Sequence, residues 1–305
     1  MRILILGANG MLGHAACRVL GRSHEVFGTC RGPADAHPGL LECVAAERLV
    51  TGFEAGDETR LEQALATSRP AVVLNAIGIV KQKKDAQAAI PSIRVNSLFP
   101  HELARACDRH AARLVQVSTD CVFSGRRGLY AEDDVPDPVD LYGRSKLLGE
   151  VTAPPHLTLR TSIIGRELGA SAGHPTSGLL EWLLSQRGRT VRGYARAIFS
   201  GVTTTTLAGL LLQLLDAGPL PTGLFHLASS PISKYDLLRH IDHALGLGAR
   251  IERDDEFVCD RSLNGRKLVE ATGLRIPGWD AMIDELRCES REYESGGPFD
   301  HGRAA

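Results

Sequence analysis

Three things are missing from this 305-residue chain, and each absence removes a class of function. It has no excess of one charge: the formal net charge is -1, so no basic field draws in nucleic acid or an anionic membrane. It has no long apolar run. The longest stretches, around residues 3–6 and 210–212, fall far short of the roughly 18 residues of a membrane span. It has no paired cysteines of CxxC spacing. Cys17, Cys30, Cys43, Cys107, Cys121, Cys259 and Cys288 are odd in number and widely spread, against a disulfide framework or a zinc ribbon. The N-terminal apolar run meets Gly7 after four residues, too early for a secretory leader, and reads as a strand entering a turn. Reduced thiols and a cytoplasmic location are the expectation.

What is present is an ordinary globular composition, 43% hydrophobic and 23% charged, with length enough for a large core. Strand-like segments at 2–6, 25–29, 71–76, 114–123 and 157–164 alternate with helix-like segments at 11–20, 59–66, 97–109 and 141–153. Asp140 is the expected N-cap of the last, and Pro154-Pro155 its stop. Apolar strands alternating with helices predict an α/β fold, a Rossmann-type doubly wound parallel sheet. After Gly165 the pattern loosens. Residues 169–178 read as a loop, 178–186, 202–215 and 234–245 as helices, and 223–228 as a strand. The expected division is a cofactor-binding domain over 1–165 and 193–228, with a smaller mixed α/β substrate domain over 166–192 and 229–305.

Four features carry chemistry. The run Gly7-Ala8-Asn9-Gly10-Met11-Leu12-Gly13 sits between a strand and a helix. Glycines so spaced let the backbone turn tightly and approach a pyrophosphate, which the helix N-terminus attracts. The next strand ends Thr29-Cys30-Arg31, without the acid that binds a ribose 2′-hydroxyl. Arg31 suits a 2′-phosphate and hence NADP, since its planar fork donates two parallel hydrogen bonds. The alternative for Arg31 is a solvated surface arginine. Tyr142 and Lys146 are four residues apart, on one face of a helix. A nearby ammonium and an oxidised nicotinamide both favour phenolate, so the tyrosine can exchange a proton near neutral pH. Ser118-Thr119-Asp120 ends an apolar strand, at the sheet edge where such folds bind ligands.

The order of these signals, with Asn75-Ala76-Ile77-Gly78 closing the middle strand, resembles the extended short-chain dehydrogenase/reductase family. Within it the chain is most similar to nucleotide-sugar ketoreductases of the dTDP-4-dehydrorhamnose reductase type. The resemblance rests on residues 7–13, 118–125 (STDCVFSG), 142–150 (YGRSKLLGE) and Arg160-Thr161-Ser162, and is strongest over the first 165 residues. It implies NADPH-dependent reduction of the 4-keto group of a nucleotide-linked 6-deoxyhexulose, in deoxysugar biosynthesis. Thr119 would hydrogen-bond the sugar carbonyl, Tyr142 would be its general acid, and Lys146 would bind the nicotinamide ribose. Asn96 would help organise the site. Gly7, Asn9, Gly10, Met11, Leu12, Gly13, Arg31, Asn75, Ala76, Gly78, Tyr142 and Lys146 would line the cofactor, and Thr119, Asp120 and Arg261 the substrate.

There are departures from the pattern. Cys121 stands where the reductases carry tyrosine, and is read as a packing residue. The glutamate that dehydratases place after Asp120 is absent, which disfavours dehydration. Ile198-Phe199-Ser200-Gly201-Val202-Thr203 replaces a Gln-Gly-Pro-Thr type segment. Tyr194 and Arg196 are weaker substrate candidates than Arg261, for which a surface salt bridge is the alternative. No metal is expected: His240 and His243 lack further ligands, and Glu285, Glu289, Glu292 and Glu294 read as a solvated tail. The expected partner is a nucleotide sugar, with neither nucleic acid nor membrane; a homodimer is compatible. Two rivals share the fold, an epimerase with bound NAD and a non-catalytic regulatory subunit.

Overall fold

The structure, a computed structural model, describes residues 1–36, 38–80, 88–168 and 178–295. The expected loop at 169–177 lies outside these residues. The strands are β1 (Arg2–Leu6), β2 (Glu25–Thr29), β3 (Leu49–Val50), β4 (Val72–Asn75), β5 (Arg113–Thr119), β6 (Leu157–Thr161), β7 (Ile163–Ile164), β8 (Thr190–Phe199), β9 (Val202–Thr203), β10 (Gly223–His226), β11 (Ile232–Ser233) and β12 (Arg250–Asp260). The helices are α1 (Met11–Leu20), α2 (Pro38–Leu41), α3 (Glu58–Ser68), α4 (Ala89–Ile93), α5 (Phe99–Arg109), α6 (Leu141–Leu148), α7 (Leu179–Leu184), α8 (Thr204–Ala217), α9 (Lys234–Leu245), α10 (Arg266–Thr272) and α11 (Trp279–Ser295). No helix among the described residues is long and apolar enough to cross a membrane.

Seven strands form one sheet in the order β10-β6-β5-β4-β1-β2-β3, and every pairing in it is parallel. Such a sheet must be covered on both faces, and the strand sequences supply the cover. Along β1, Ile3 and Ile5 enter one apolar core while Leu4 and Leu6 enter the other. β4 repeats this, with Val72 and Leu74 on one side and Val73 on the other. The first core lies under α1 and α8, the second under α3 and α5. The chain order reverses beside β1, which has β2 on one flank and β4 on the other. That switch point opens a crevice at the carboxyl ends of β1 and β4. The Rossmann-type α/β reading of the sequence holds.

A second sheet, β11-β8-β12, is covered by α9. β8 and β12 were not expected as strands. The expected domain cut at 193 therefore falls inside β8, whose strand partners among the described residues are β11 and β12. Two helix ends also differ. Residues 202 and 203 pair with β7 before α8 begins, with Thr203 as its N-cap. α6 stops at Leu148 rather than 153: a Cβ on Gly149 would lie 1.9 Å from the Asn96 carbonyl, so only glycine lets the chain pass there.

The C-terminus corrects the sequence reading most. The glutamates taken as a solvated tail lie on α11, which docks against α1 and α8. Arg18 on α1 contacts Glu289 at 3.0 Å and Glu292 at 2.8 Å. Glu285 accepts from the Thr203 and Thr206 hydroxyls, both at 2.7 Å. Tyr293 hydroxyl lies 2.6 Å from His14 Nδ1.

Two outcomes follow from this packing. A Cβ at Gly13 would stand 2.1 Å from the Gly7 carbonyl oxygen, so the backbone must move. Gly13→Ala should cost about 2 kcal/mol or more in urea unfolding. Burial, opposed by Arg18, pushes the Glu289 carboxyl up to about 7. Its folded pKa is thus above the unfolded value. The stability this carboxyl contributes is fully present below about 4.5 and is lost as pH rises from there through about 7, and a neutral amide escapes that loss. From pH 5 to pH 8, the stability difference should swing toward Glu289→Gln by about 2–3 kcal/mol, read by unfolding at both pH values.

Candidate active site

The carboxyl ends of β1, β4 and β5 meet the start of α6 along one edge of the sheet. At β1 the chain turns at Gly7, whose φ of +77° favours glycine. Its N–H donates to Thr29 Oγ1 (3.2 Å), and the Ala8 N–H donates to the Thr29 carbonyl (2.8 Å). The Gly10 N–H closes the loop on the Gly7 carbonyl at 3.0 Å. α1 then starts with Gly10 as its cap, with no side-chain cap and no acid in its first turn. The N–H groups of Met11, Leu12 and Gly13 therefore point out of the helix without an intrahelical acceptor. This uncapped, glycine-framed N-terminus fits a pyrophosphate. Leu12 can contribute only backbone, for its side chain is in the core. Asn9 is half-buried, and Arg31 lies exposed just past the end of β2.

After β4, Asn75 is buried, and its side chain is engaged within the fold. Its amide donates to Gln116 Oε1 (2.8 Å), and its oxygen accepts from the Ile77 N–H (3.1 Å). Asn75 thus shapes the turn that presents Ala76 and Gly78. The same turn is held from the other side by Asn96, on a π-helical turn (residues 94–98) between α4 and α5. Asn96 accepts from the Ile79 N–H (2.9 Å) and donates to the Ile79 carbonyl (3.0 Å) and to Ser145 Oγ on α6 (3.1 Å). Ser97 adds a hydroxyl bond to the Ser145 carbonyl at 2.8 Å. The extra residue of a π turn swings Asn96 inward to make this set.

Thr119 ends β5, buried. Its hydroxyl caps the following turn, accepting from the Cys121 N–H (3.1 Å) and donating to Asp120 Oδ1 (3.1 Å). α6 starts at Leu141, with Asp140 accepting from the Gly143 N–H at 2.8 Å as its N-cap. A Cβ on Gly143 would meet the Cys121 carbonyl at 2.1 Å, so glycine seats the helix directly on the Thr119 turn. Tyr142 then stands half-buried at the start of this helix, with Thr119 among the groups that act on its phenol. One helical turn on, Lys146 donates to the Val117 carbonyl at 2.6 Å. Tyr142 and Lys146 are thus carried by the helix seated on the turn that Thr119 caps. Arg261, just past β12, arrives from the second sheet. Its Nε donates to the Phe123 carbonyl (2.8 Å), and Nη1 lies 3.8 Å from Cys121 Sγ. Tyr194 and Arg196 lie on the exposed side of β8, and His240 and His243 on the exposed side of α9.

A model of the RmlD substrate binding domain family matches residues 1–253. The chain belongs to the RmlD substrate binding domain family. Two curated relatives are both described as dTDP-4-dehydrorhamnose reductase. That of Mycolicibacterium smegmatis is 29% identical over 80% of this chain and 69% of its own. That of Aggregatibacter actinomycetemcomitans is 25% identical over 94% and 98%. A solved structure of a hypothetical dTDP-4-dehydrorhamnose reductase from Sulfolobus tokodaii superposes with a TM-score of 0.74, 26% identical over 90% of this chain and 96% of its own.

In this RmlD-family site, burial decides the protonation states. It raises the Tyr142 phenol above its ordinary value, helped by Cys121, Asp120 and Asp140, while the Thr119 contact works the other way. The same loss of water lowers the Lys146 ammonium to about 8, against the pull of Glu150. Burial pushes the Cys121 thiol up to about 12, so it stays protonated and unreactive at neutral pH. Burial thus favours the neutral form of both groups, holding the Tyr142 phenol protonated and weakening the Lys146 ammonium. Sequence reasoning did not see that Glu150, Arg160 and Ser118 support this group. Glu150 accepts from Ser118 Oγ (2.7 Å), Arg160 Nε (2.7 Å) and Arg160 Nη2 (2.8 Å). The available signal was the glutamate four residues after Lys146.

Removing the Asn96 side chain takes one donor from the Ser145 hydroxyl, which keeps its bond to the Tyr142 carbonyl, and the partners of both backbone groups of Ile79. Asn96→Ala should lower stability by about 3 kcal/mol in denaturant unfolding.

Proposed function

We propose that the chain reduces, with NADPH, the 4-keto group of a nucleotide-linked 6-deoxyhexulose in the cytoplasm. The reading is supported by the placement of Thr119, Tyr142 and Lys146 at one end of β5, where α6 is seated on the Thr119 turn and Lys146 donates to the Val117 carbonyl, and by the uncapped glycine loop. The 2′-phosphate preference rests on Arg31 and the lack of any acid at the end of β2. The cofactor unit is the seven-stranded sheet with its helices, and the substrate unit is built on β8, β11 and β12. Residues 166–192 and 229–305 make up most of the latter, with β8 added.

NADPH supplies the hydride when bound. Every other task falls to the chain. The α1 N–H groups and Gly7, Gly10 and Gly13 receive the pyrophosphate. Asn9, Ala76 and Gly78 frame the dinucleotide, and Asn75 holds the turn behind them. Lys146 donates to the nicotinamide ribose and keeps a positive charge near Tyr142. Thr119 turns its hydroxyl from Asp120 to the sugar carbonyl, fixing it beside Tyr142 Oη, which gives its proton to that oxygen. Stabilising charge where it develops, with donors already in place, is the electrostatic part of the catalysis. Asp120 and Arg261 border the sugar side, and Arg261 is placed to take an anionic oxygen of the substrate.

The decisive assay is NADPH oxidation with a dTDP-4-keto-6-deoxyhexose. Tyr142→Phe should cut kcat about 100-fold or more while leaving NADPH affinity within about threefold. Arg31→Ala should weaken NADPH binding about tenfold and leave NADH binding unchanged. Undiminished turnover in Tyr142→Phe would refute the assignment of the acid. Sugar interconversion without net NADPH consumption would point to an epimerase. Cofactor binding without turnover, with an enzyme co-purifying, would point to a regulatory subunit.

A further inference from the structure

Glu150 follows α6 directly, past the Gly149 cap, and its carboxylate turns inward. Its side chain is 6% exposed and that of its partner Arg160 is 3% exposed. The three donors it accepts from leave little of it unused. Lys146 grips the Val117 carbonyl and Glu150 takes the hydroxyl of Ser118, so ammonium and carboxylate dock on consecutive residues of β5. The next residue is Thr119. A buried ion pair is a poor way to hold a strand to a helix, since apolar residues of the same volume are often as stable. What apolar residues lack is a negative charge beside an ammonium stripped of water.

The surroundings of Lys146 single out this carboxylate. Burial works against the ammonium, and Glu150 is the group that works for it. Among the described residues, the other charged or titratable groups on elements packed against α6 include Arg94 on the π turn, His101 on α5, whose ring contacts the Leu148 carbonyl, Arg113 at the far end of β5, and Asp120 and Cys121 in the turn after it. On α6 and its cap stand Asp140, Tyr142 and Arg144. None of these offsets the desolvation of Lys146.

We propose that Glu150 is the counter-ion that keeps Lys146 an ammonium at neutral pH, its carboxylate fixed in place by Arg160 and Ser118. It is a positioning residue, acting on the reaction only through Lys146, and its catalytic relevance rests on the role given above to Lys146.

The chain has six lysines, so 13C NMR of lysine-labelled protein can follow each one through a pH titration without cofactor. Loss of a signal in Lys146→Met assigns the resonance. The Lys146 midpoint should fall by about half a pH unit or more in Glu150→Gln. It should hold in Arg160→Lys, which breaks the two-pronged geometry but keeps both charges. If Glu150→Gln does not fold, the double variant Glu150→Met/Arg160→Leu supplies an apolar pair of similar volume and should show the same fall. Fluorescence titration with NADP+ gives a second readout: from pH 6.5 to 8, Glu150→Gln should lose about two- to fourfold more affinity than wild type. An unchanged midpoint in Glu150→Gln, or an equal fall in Arg160→Lys, would make Glu150 a brace and overturn the proposal. A midpoint that falls while NADP+ affinity stays level would uphold the counter-ion and refute the cofactor role of Lys146.

Discussion

The two-pronged contact between Arg160 and Glu150 ties the catalytic strand to what lies beyond it. Arg160 is on β6, Glu150 follows α6, and through Ser118 the pair reaches β5. The guanidinium lies 5.2 Å from the centre of the Phe123 ring, which stacks on Tyr130 at 4.2 Å. Its other edge lies 3.4 Å from His226 on β10, whose ring contacts the Tyr130 carbonyl. Burial and Arg160 both lower the His226 imidazole, to about 4, so it is neutral there. The loop after Thr119 is therefore set by one cation and its ring of partners. Removing one member of such a pair costs about 3–5 kcal/mol, because the other is left charged and dry.

One physical effect acts on both Tyr142 and Lys146. Taking water away disfavours charge, so it raises a phenol and lowers an ammonium. At Tyr142 that suits the proposed role, since a proton donor should be protonated. At Lys146 it is a liability, and the Glu150 carboxylate just past the end of the helix opposes it. The sheet supplies the meeting point: parallel strands end along the same edge, and the chain reversal beside β1 leaves that edge open.

The first half of the fold was legible because its signals are local. The bounds of β1, α1 and β2 come straight from apolar period and glycine position, and those of α9 from its periodicity. The placement of the proposed trio was legible for the same reason, with Tyr142 and Lys146 a turn apart and Thr119 at a strand end. β12 was not. Its sequence, RIERDDEFVCD, has no apolar alternation, and its strand state comes from backbone pairing with β8. α11 was misjudged because its glutamates look like a solvated face until their partners are known. Those partners, Arg18, Thr203 and Thr206, are supplied by the fold. Asn75 looked like a ligand residue for a similar reason: nothing local reveals Gln116 across the strand.

The grip of Arg18 on Glu289 spans 271 residues of chain. A ribosome adding roughly 5–20 residues per second needs roughly 15–55 s to cover that distance. Throughout that interval the first helix carries a guanidinium destined for the interior, with no acid yet made to receive it. The dinucleotide half can gather its strands early, but α1 reaches its final surroundings only when the last helix emerges. In this molecule the beginning of the chain is finished by its end.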